Sequence, residues 1–363
     1  MKVLQIINSL GTGGAEKLLL ETLPLYKEKG IIVDLLVLNG TNYPFMEELK
    51  ALNCCKIYSL GSHSVYNPVN IFKLIRYLYE YDIAHVHLFP AQYWVVLAKT
   101  ISFSKIKLFF TEHSTSNRRM ELPLFSILDR VFYSSYRKII TISEGVNDSL
   151  IKHLRSGKKN IVILNGINLI KVNLAKKKLT KDSLFFHHNN KLLIQVGGFR
   201  KQKDQDTTIR SLQYLPSNFH LLLVGVGERE KQLKNLVIQL KLEDRVHFMG
   251  VRKDVFSILK NIDVVIVSSH QEGFGLAAVE GMAAKKPVIA SDVPGLSEVV
   301  KGAGVLFELG NAKELAERIQ ELLGDESLYN RIAQACQLRA TQYNIENMIQ
   351  KHIDLYQEVY ASI

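Results

Sequence analysis

The chain has 363 residues, of which 47% are hydrophobic, with 46 Lys and Arg against 35 Asp and Glu and a net charge of +11. That length exceeds what one core ordinarily serves, so two domains are expected, and the composition excludes a disordered chain. No apolar run approaches the ~20 residues of a membrane-spanning helix, and Cys54, Cys55 and Cys336 offer neither a disulfide framework nor metal spacing.

The opening stretch, "MKVLQIINSLGTGG", is too short in apolar residues for a signal peptide and reads as a first strand. The expectation is a soluble protein of the reducing cytoplasm. Strand-like runs follow at 3–8, 31–38, 83–88, 107–111, 138–143 and 161–165, separated by amphipathic segments such as 69–81 and 122–136. This alternation predicts a parallel sheet covered on both faces. The polar stretch 171–191 lacks periodicity and reads as linker. The pattern restarts at 192–198, 219–227, 245–250, 262–269 and 287–291, and the chain is helical from 311. The α/β reading is therefore two doubly wound, Rossmann-like domains facing across a cleft. The divisions are an acceptor-side domain at 1–168, a linker at 169–190, a second domain at 191–340 and a C-terminal helix at 341–363 returning to the first domain.

Glycines crowd the strand ends. Gly11, Gly13 and Gly14 lie in the first strand-to-helix turn, but Glu16 stands where a dinucleotide fingerprint wants a small residue. The turn reads either as a tight turn or as a bare loop touching a ligand. "VGGFRKQKD" (196–204) adds Arg200, Lys201 and Lys203 beside Gly198. Gly225, and Gly250 followed by Val251, mark two further turns. "DQD" (204–206) matches an Asp-x-Asp metal pattern, but it begins a helix, where Asp is an ordinary N-cap. His85, His87 and His113 fall near strand ends; of these His113, beside a polar run, is the functional candidate.

Basic charge is uneven. Lys152, Arg155, Lys158, Lys159, Lys171, Lys176, Lys177, Lys178 and Lys181 occupy a span with no Asp or Glu. A solvated face, an anionic membrane surface and a phosphorylated substrate are the open readings. No nucleic-acid-binding motif accompanies the charge.

The most informative stretch is "SSHQEGFGLAAVEGMAAKKPVIAS" (268–291). Glu272 and Glu280 bracket seven uncharged residues, Gly273, Phe274, Gly275 and Leu276 among them. The turn enters a helix, whose first N–H groups form an anion site. Carboxylates suit vicinal hydroxyls rather than phosphate. A ligand with an anionic middle and hydroxyls at both ends fits, as in a nucleotide diphospho-sugar. The plain alternative makes Glu272 a solvated loop residue and Glu280 a surface helix residue.

These residues resemble the GT-B retaining glycosyltransferases of family 4 (glycosyl transferases group 1) over nearly the whole chain. The resemblance is strongest at "EGFGLAAVEGMAAKKPVIASDVPGLSEVV" and extends to "GGAE", "NGIN", "LLVGVGERE" and "FMGVRKD". It implies sugar transfer with retention from a UDP- or GDP-sugar to a glycan or polyprenyl-linked acceptor, with no metal and no further cofactor. The setting it implies is bacterial surface polysaccharide assembly. In that reading Glu272 binds donor sugar hydroxyls and Glu280 the ribose. Gly14 and Lys203 contact the diphosphate, helped by the amides of Gly275 and Leu276. His113 meets the reacting sugar, and the turn after Gly250 borders the base. Gly13, Gly198, Arg200, Gly225, Gly273 and Phe274 line the donor site. Two departures stand out. Gly198 occupies the usual arginine position, leaving Arg200 or Arg252 as substitute, and Lys286 stands at a usual glycine. Alternatives are a GT-B sugar-nucleotide epimerase, which needs acidic catalytic residues in the first domain, or a non-catalytic nucleotide-sugar-binding subunit.

Overall fold

The structure is a computed structural model describing residues 1–116, 120, 122–175 and 187–361. The chain forms two compact units. The first comprises Met1–Asn165 and the C-terminal helix Ile345–Ala361; the second is Gly166–Asn344.

The first unit holds a seven-stranded sheet. Its strands are β1 Lys2–Ile7, β2 Ile32–Val37, β3 Ile57–Ser59, β4 Ile83–His87, β5 Lys107–Glu112, β6 Lys138–Thr141 and β7 Asn160–Val162. All pairs are parallel, in the order β3-β2-β1-β4-β5-β6-β7. Strands β1, β2 and β4 are buried on both faces because helices cover each side, and apart from Gln5, Asp34, His85 and His87 their buried positions are apolar. The C-terminal helix lays Ile345, Met348, Ile349, Ile353 and Tyr356 into the same core as Val3, Ile7, Leu19 and Leu23.

The second unit repeats the plan with β8 Lys191–Val196, β9 Phe219–Val224, β10 Val246–Gly250, β11 Val264–Val267, β12 Val288–Ser291 and β13 Val305–Phe307. These are parallel in the order β10-β9-β8-β11-β12-β13. In both sheets the order reverses beside the unit's first strand, between β1 and β4 and between β8 and β11. A crevice opens at such a switch point outside the carboxyl ends of the strands, where ligands of this architecture bind.

Two boundaries differ from the sequence reading. The first unit ends at Asn165 rather than 168. Residues 169–175 do not behave as linker: Leu169–Leu174 is a helix capped by the Asn168 side chain. Lys260 donates to the carbonyls of Asn173 (2.9 Å) and Ala175 (2.5 Å), which ties that helix to the second unit. The remainder of the expected linker, 176–186, lies outside the described residues.

Candidate functional site

The second unit's switch point is built by the ends of β8 and β11. After β8 the chain turns through Gly197 and Gly198 into a short 3-10 turn, Lys201–Lys203. After β11 it passes Ser268 and Ser269 to the Glu272 turn and enters the helix Leu276–Ala283. Gln195, 4% exposed on β8, clamps the two ends together. Its amide donates to the Lys203 carbonyl at 2.6 Å and to the Ser268 carbonyl at 3.1 Å. Asp204, at φ 42°, accepts from the Ser268 hydroxyl at 2.9 Å and lies 3.5 Å from His270. Its side chain caps no helix, contrary to the sequence reading of "DQD". Asp206, the other acid of that triplet, is held by Arg229 through two hydrogen bonds of 2.6 and 2.9 Å.

This scaffold brings Lys203 Nζ to 2.5 Å from Glu272 Oε2. The Glu272 side chain is 15% exposed, so it is no solvated loop residue. Glu280 is 4% exposed, one turn farther along the helix, and so is not a surface residue either. Both plain alternatives therefore fail on burial. Gly275 caps the helix at φ 92°, and a Cβ there would sit 2.6 Å from Leu296 Cδ1. Glycine is thus required twice over, by backbone and by space. Phe274 is buried and packs edge-on against Tyr343 at 5.1 Å, so its side chain anchors the turn. Gly295, which the sequence reading passed over, lets a neighbouring loop lie against the carbonyls of Glu272 and Gly273, where any Cβ would clash.

The flanking glycine turns differ in kind. Gly225, at φ 143°, sits so close to the Gly197 carbonyl that a Cβ would clash, so its role in holding the β8 and β9 turns together is structural. Gly250, at φ 62°, has open space around its Cβ direction, and Val251 beyond it is 47% exposed. Arg252 is engaged by Asp254 through two hydrogen bonds of 2.8 and 2.7 Å. Arg200 is exposed beside Gly198. The positive-φ residue before β12 is Lys285, at φ 62°, the neighbour of the Lys286 that stands at a usual glycine.

In the first unit the turn after β1 leads to Gly13, the N-cap of the helix Gly14–Glu28. Glu16 folds back over Gly13 so closely that a Cβ there would meet its carboxylate, and Gly14 is exposed. His87 ends β4, and His113 follows β5 and is half-buried, with His113 Nε2 3.0 Å from His87 Nδ1. Behind them His85 is fully buried and lies against Tyr356 of the C-terminal helix, whose His352 is also buried. Burial first, and the neighbouring His352 second, hold His113 down to about 3, and burial holds His352 down to about 4. Burial followed by neighbouring imidazoles keeps His85 and His87 well below the ordinary range.

These shifts fix a sign. An unfolded histidine takes up its proton near pH ~6.5, whereas the folded cluster stays neutral far below that. The unfolded chain then binds more protons, so stability is complete above the unfolded value and drains away as pH falls toward the folded values. Urea midpoints are expected to be flat above about pH 7 and to fall steadily from about 6.5 toward 4. His352→Gln should make that fall shallower; an unaltered slope in the variant would remove His352 from the account.

Comparison with known proteins bears on the family and the fold. The family model of glycosyl transferases group 1 matches residues 176–339, and that of glycosyltransferase family 4 matches residues 12–171. An uncharacterized glycosyltransferase of Methanocaldococcus jannaschii, MJ1178, is 30% identical over 242 residues, 64% of each chain. The N,N'-diacetylbacillosaminyl-diphospho-undecaprenol alpha-1,3-N-acetylgalactosaminyltransferase of Campylobacter jejuni is 25% identical over 65% of this chain and 64% of its own. Both matches span just under two thirds of the relative's length. Among solved structures, HepE of Anabaena in complex with UDP-glucose superimposes with a TM-score of 0.87, covering 99% of this chain and all of that one at 23% identity. The fold is GT-B. The chain belongs to the family 4 glycosyltransferases.

Proposed function

We propose that the protein transfers a sugar from a nucleotide diphospho-sugar to a glycan or lipid-linked acceptor, with retention at the anomeric carbon, in the assembly of a bacterial surface polysaccharide. The observation that carries this reading is the Lys203–Glu272 pair at the switch point, directly before a glycine-capped helix with Glu280 buried within it. Glu272 accepts from donor sugar hydroxyls and Glu280 from the ribose. Lys203, Gly14 and the first amides of the helix Leu276–Ala283 stabilise the diphosphate, and His113 meets the sugar. The bond from the anomeric carbon to the phosphate oxygen breaks as the bond to the acceptor oxygen forms on the same face. The acceptor proton passes to the departing phosphate. The protein contributes positioning and charge stabilisation, which need no nucleophilic side chain. The Campylobacter relative's name describes a lipid-linked acceptor and the Anabaena structure holds UDP-glucose, which supports the donor and acceptor classes proposed. The test is a thermal-shift screen of UDP- and GDP-sugars, then nucleoside diphosphate release with acceptor and NMR of the product's anomeric configuration. Inversion would overturn the retaining course, and release without transfer would overturn the acceptor.

A lipid-linked acceptor would draw the enzyme to an anionic membrane, and the basic span is the candidate contact. Lys152, Arg155 and Lys171 are exposed. Lys159 is not available, since it donates to the carbonyls of Ser134 (2.5 Å) and Tyr136 (2.9 Å). Lys176, Lys177, Lys178 and Lys181 lie outside the described residues. Each basic residue near such a surface contributes about 1 kcal/mol. The protein is expected to cosediment with phosphatidylglycerol vesicles at low salt, to leave them as salt rises, and to ignore phosphatidylcholine. Changing Lys176, Lys177 and Lys178 to Gln should weaken binding; equal binding to both lipids, or to neither, sinks the membrane contact.

A further inference from the structure

The buried polar chain behind His113 has a direction. Gln5, 1% exposed on β1, places Oε1 2.8 Å from His87 Nε2, and its Nε2 donates to the Tyr356 hydroxyl at 3.2 Å. An amide oxygen only accepts, so His87 carries its proton on Nε2. A neutral imidazole has one N–H, which leaves His87 Nδ1 as an acceptor. The group 3.0 Å away, His113 Nε2, must then be the donor. On the other branch Tyr356, having accepted from Gln5, gives its proton to His85 Nδ1. His85 Nε2 in turn donates to Thr111 Oγ1 at 2.6 Å. The bonds then run one way, from His113 through Gln5 to Thr111, and turning that amide over would reverse them. Such a chain is costly to break, because a buried group left without its partner keeps its full desolvation cost.

We propose that Gln5 and His87 are positioning residues that lock His113 in the Nε2–H tautomer, so that its bare Nδ1 serves as a fixed hydrogen-bond acceptor for a hydroxyl of the donor sugar. The placement fits: β1 and β4 are the strands on either side of the switch point, and β5, which leads to His113, lies next to β4. Tyr356 joins the chain from 351 residues away along the sequence, on the C-terminal helix. A neutral ring suits this role, since an imidazolium would present a donor at both nitrogens. The low proton affinity of all three histidines keeps the arrangement intact across the physiological range. The inference rests on the transferase reading for the identity of the hydroxyl, but not for the tautomer itself.

The test is long-range nitrogen–carbon correlation NMR on histidine-labelled protein without donor, which reads the tautomer directly. Proton-bearing Nε2 and bare Nδ1 are expected for both His87 and His113. A proton on His113 Nδ1 would overturn the proposal. Gln5→Leu should mix the His113 tautomers and lower kcat about tenfold, with donor KM changed by less than about twofold, because the interaction lost is one strengthened at the transition state. A Gln5→Leu protein with an unmoved tautomer and full turnover would also overturn the relay. If the tautomers appear as expected but His113→Ala transfers sugar at the native rate, the donor contact fails while the relay stands.

Discussion

Glu272→Gln is expected to lower sugar transfer about a hundredfold while the protein stays folded. A hydrogen bond accepted by a charged group is worth roughly 1.5–3 kcal/mol, which corresponds to about ten- to more than a hundredfold in rate. The amide keeps the shape of the carboxylate but replaces one acceptor with a donor, so two sugar hydroxyls can no longer both donate to it. The stability cost is small. The Gln carbonyl oxygen can still accept from the Lys203 ammonium, whose side chain is 33% exposed, so most of that contact survives the change. Loss of rate with an unmoved melting temperature therefore separates a donor contact from a structural one. Glu280 behaves differently because it is buried in the helix. Glu280→Gln keeps its volume and should weaken nucleoside diphosphate binding about tenfold by calorimetry, at the cost of one charge-assisted bond. Wild-type transfer by both variants would mean that the two glutamates do not frame the donor.

The elements of both sheets were legible because their strands are buried on both faces, so apolar runs stand out between helical segments. The two strands that escaped are β3 and β13, each of three residues at a sheet edge. β7 is as short but opens a longer apolar run, 161–164, whereas β3 is half exposed. The Glu272 turn was readable because glycine, carboxylate and helix entry are adjacent along the chain. Local sequence could not settle the rest. Whether Glu272 and Glu280 face solvent depends on what packs over them, and burial came only with the fold. Lys285 shows the limit of pattern matching, since the left-handed backbone persists at a residue with a side chain. Asp204 looked like a cap, but Ser268, 64 residues away, claims its carboxylate. His85 and His87, spaced for one face of a strand, gave a hint of a cluster. Gln5 and Tyr356 gave none, because their partners lie 82 and 351 residues distant.

Lys203→Ala should cut turnover about a hundredfold, with a smaller rise in donor KM. Negative charge grows on the diphosphate as the sugar departs, so a fixed cation there acts mostly on the transition state. Losing one such group typically costs about 10²–10³ in kcat. Lys203 Nζ lies 2.5 Å from Glu272 Oε2. On the proposed reading the two part on the donor, the ammonium to phosphate and the carboxylate to hydroxyls. A double-mutant cycle with Glu272→Gln tests that exchange. If each residue meets the donor separately, the two losses add. If Lys203 serves only to orient Glu272, the double variant is no slower than the worse single one, and the phosphate role fails. The resemblance implies that Gly198 leaves this site one arginine short, and Arg200 is proposed as the substitute, since the Arg252 guanidinium is bound twice by Asp254. Arg200→Ala should then lower turnover about tenfold, consistent with one charge-assisted phosphate contact from an exposed side chain. Arg252→Ala should change it little. The reverse ranking would show that the donor pulls Arg252 off Asp254, and would move the compensating charge from the turn after β8 to the turn after β10.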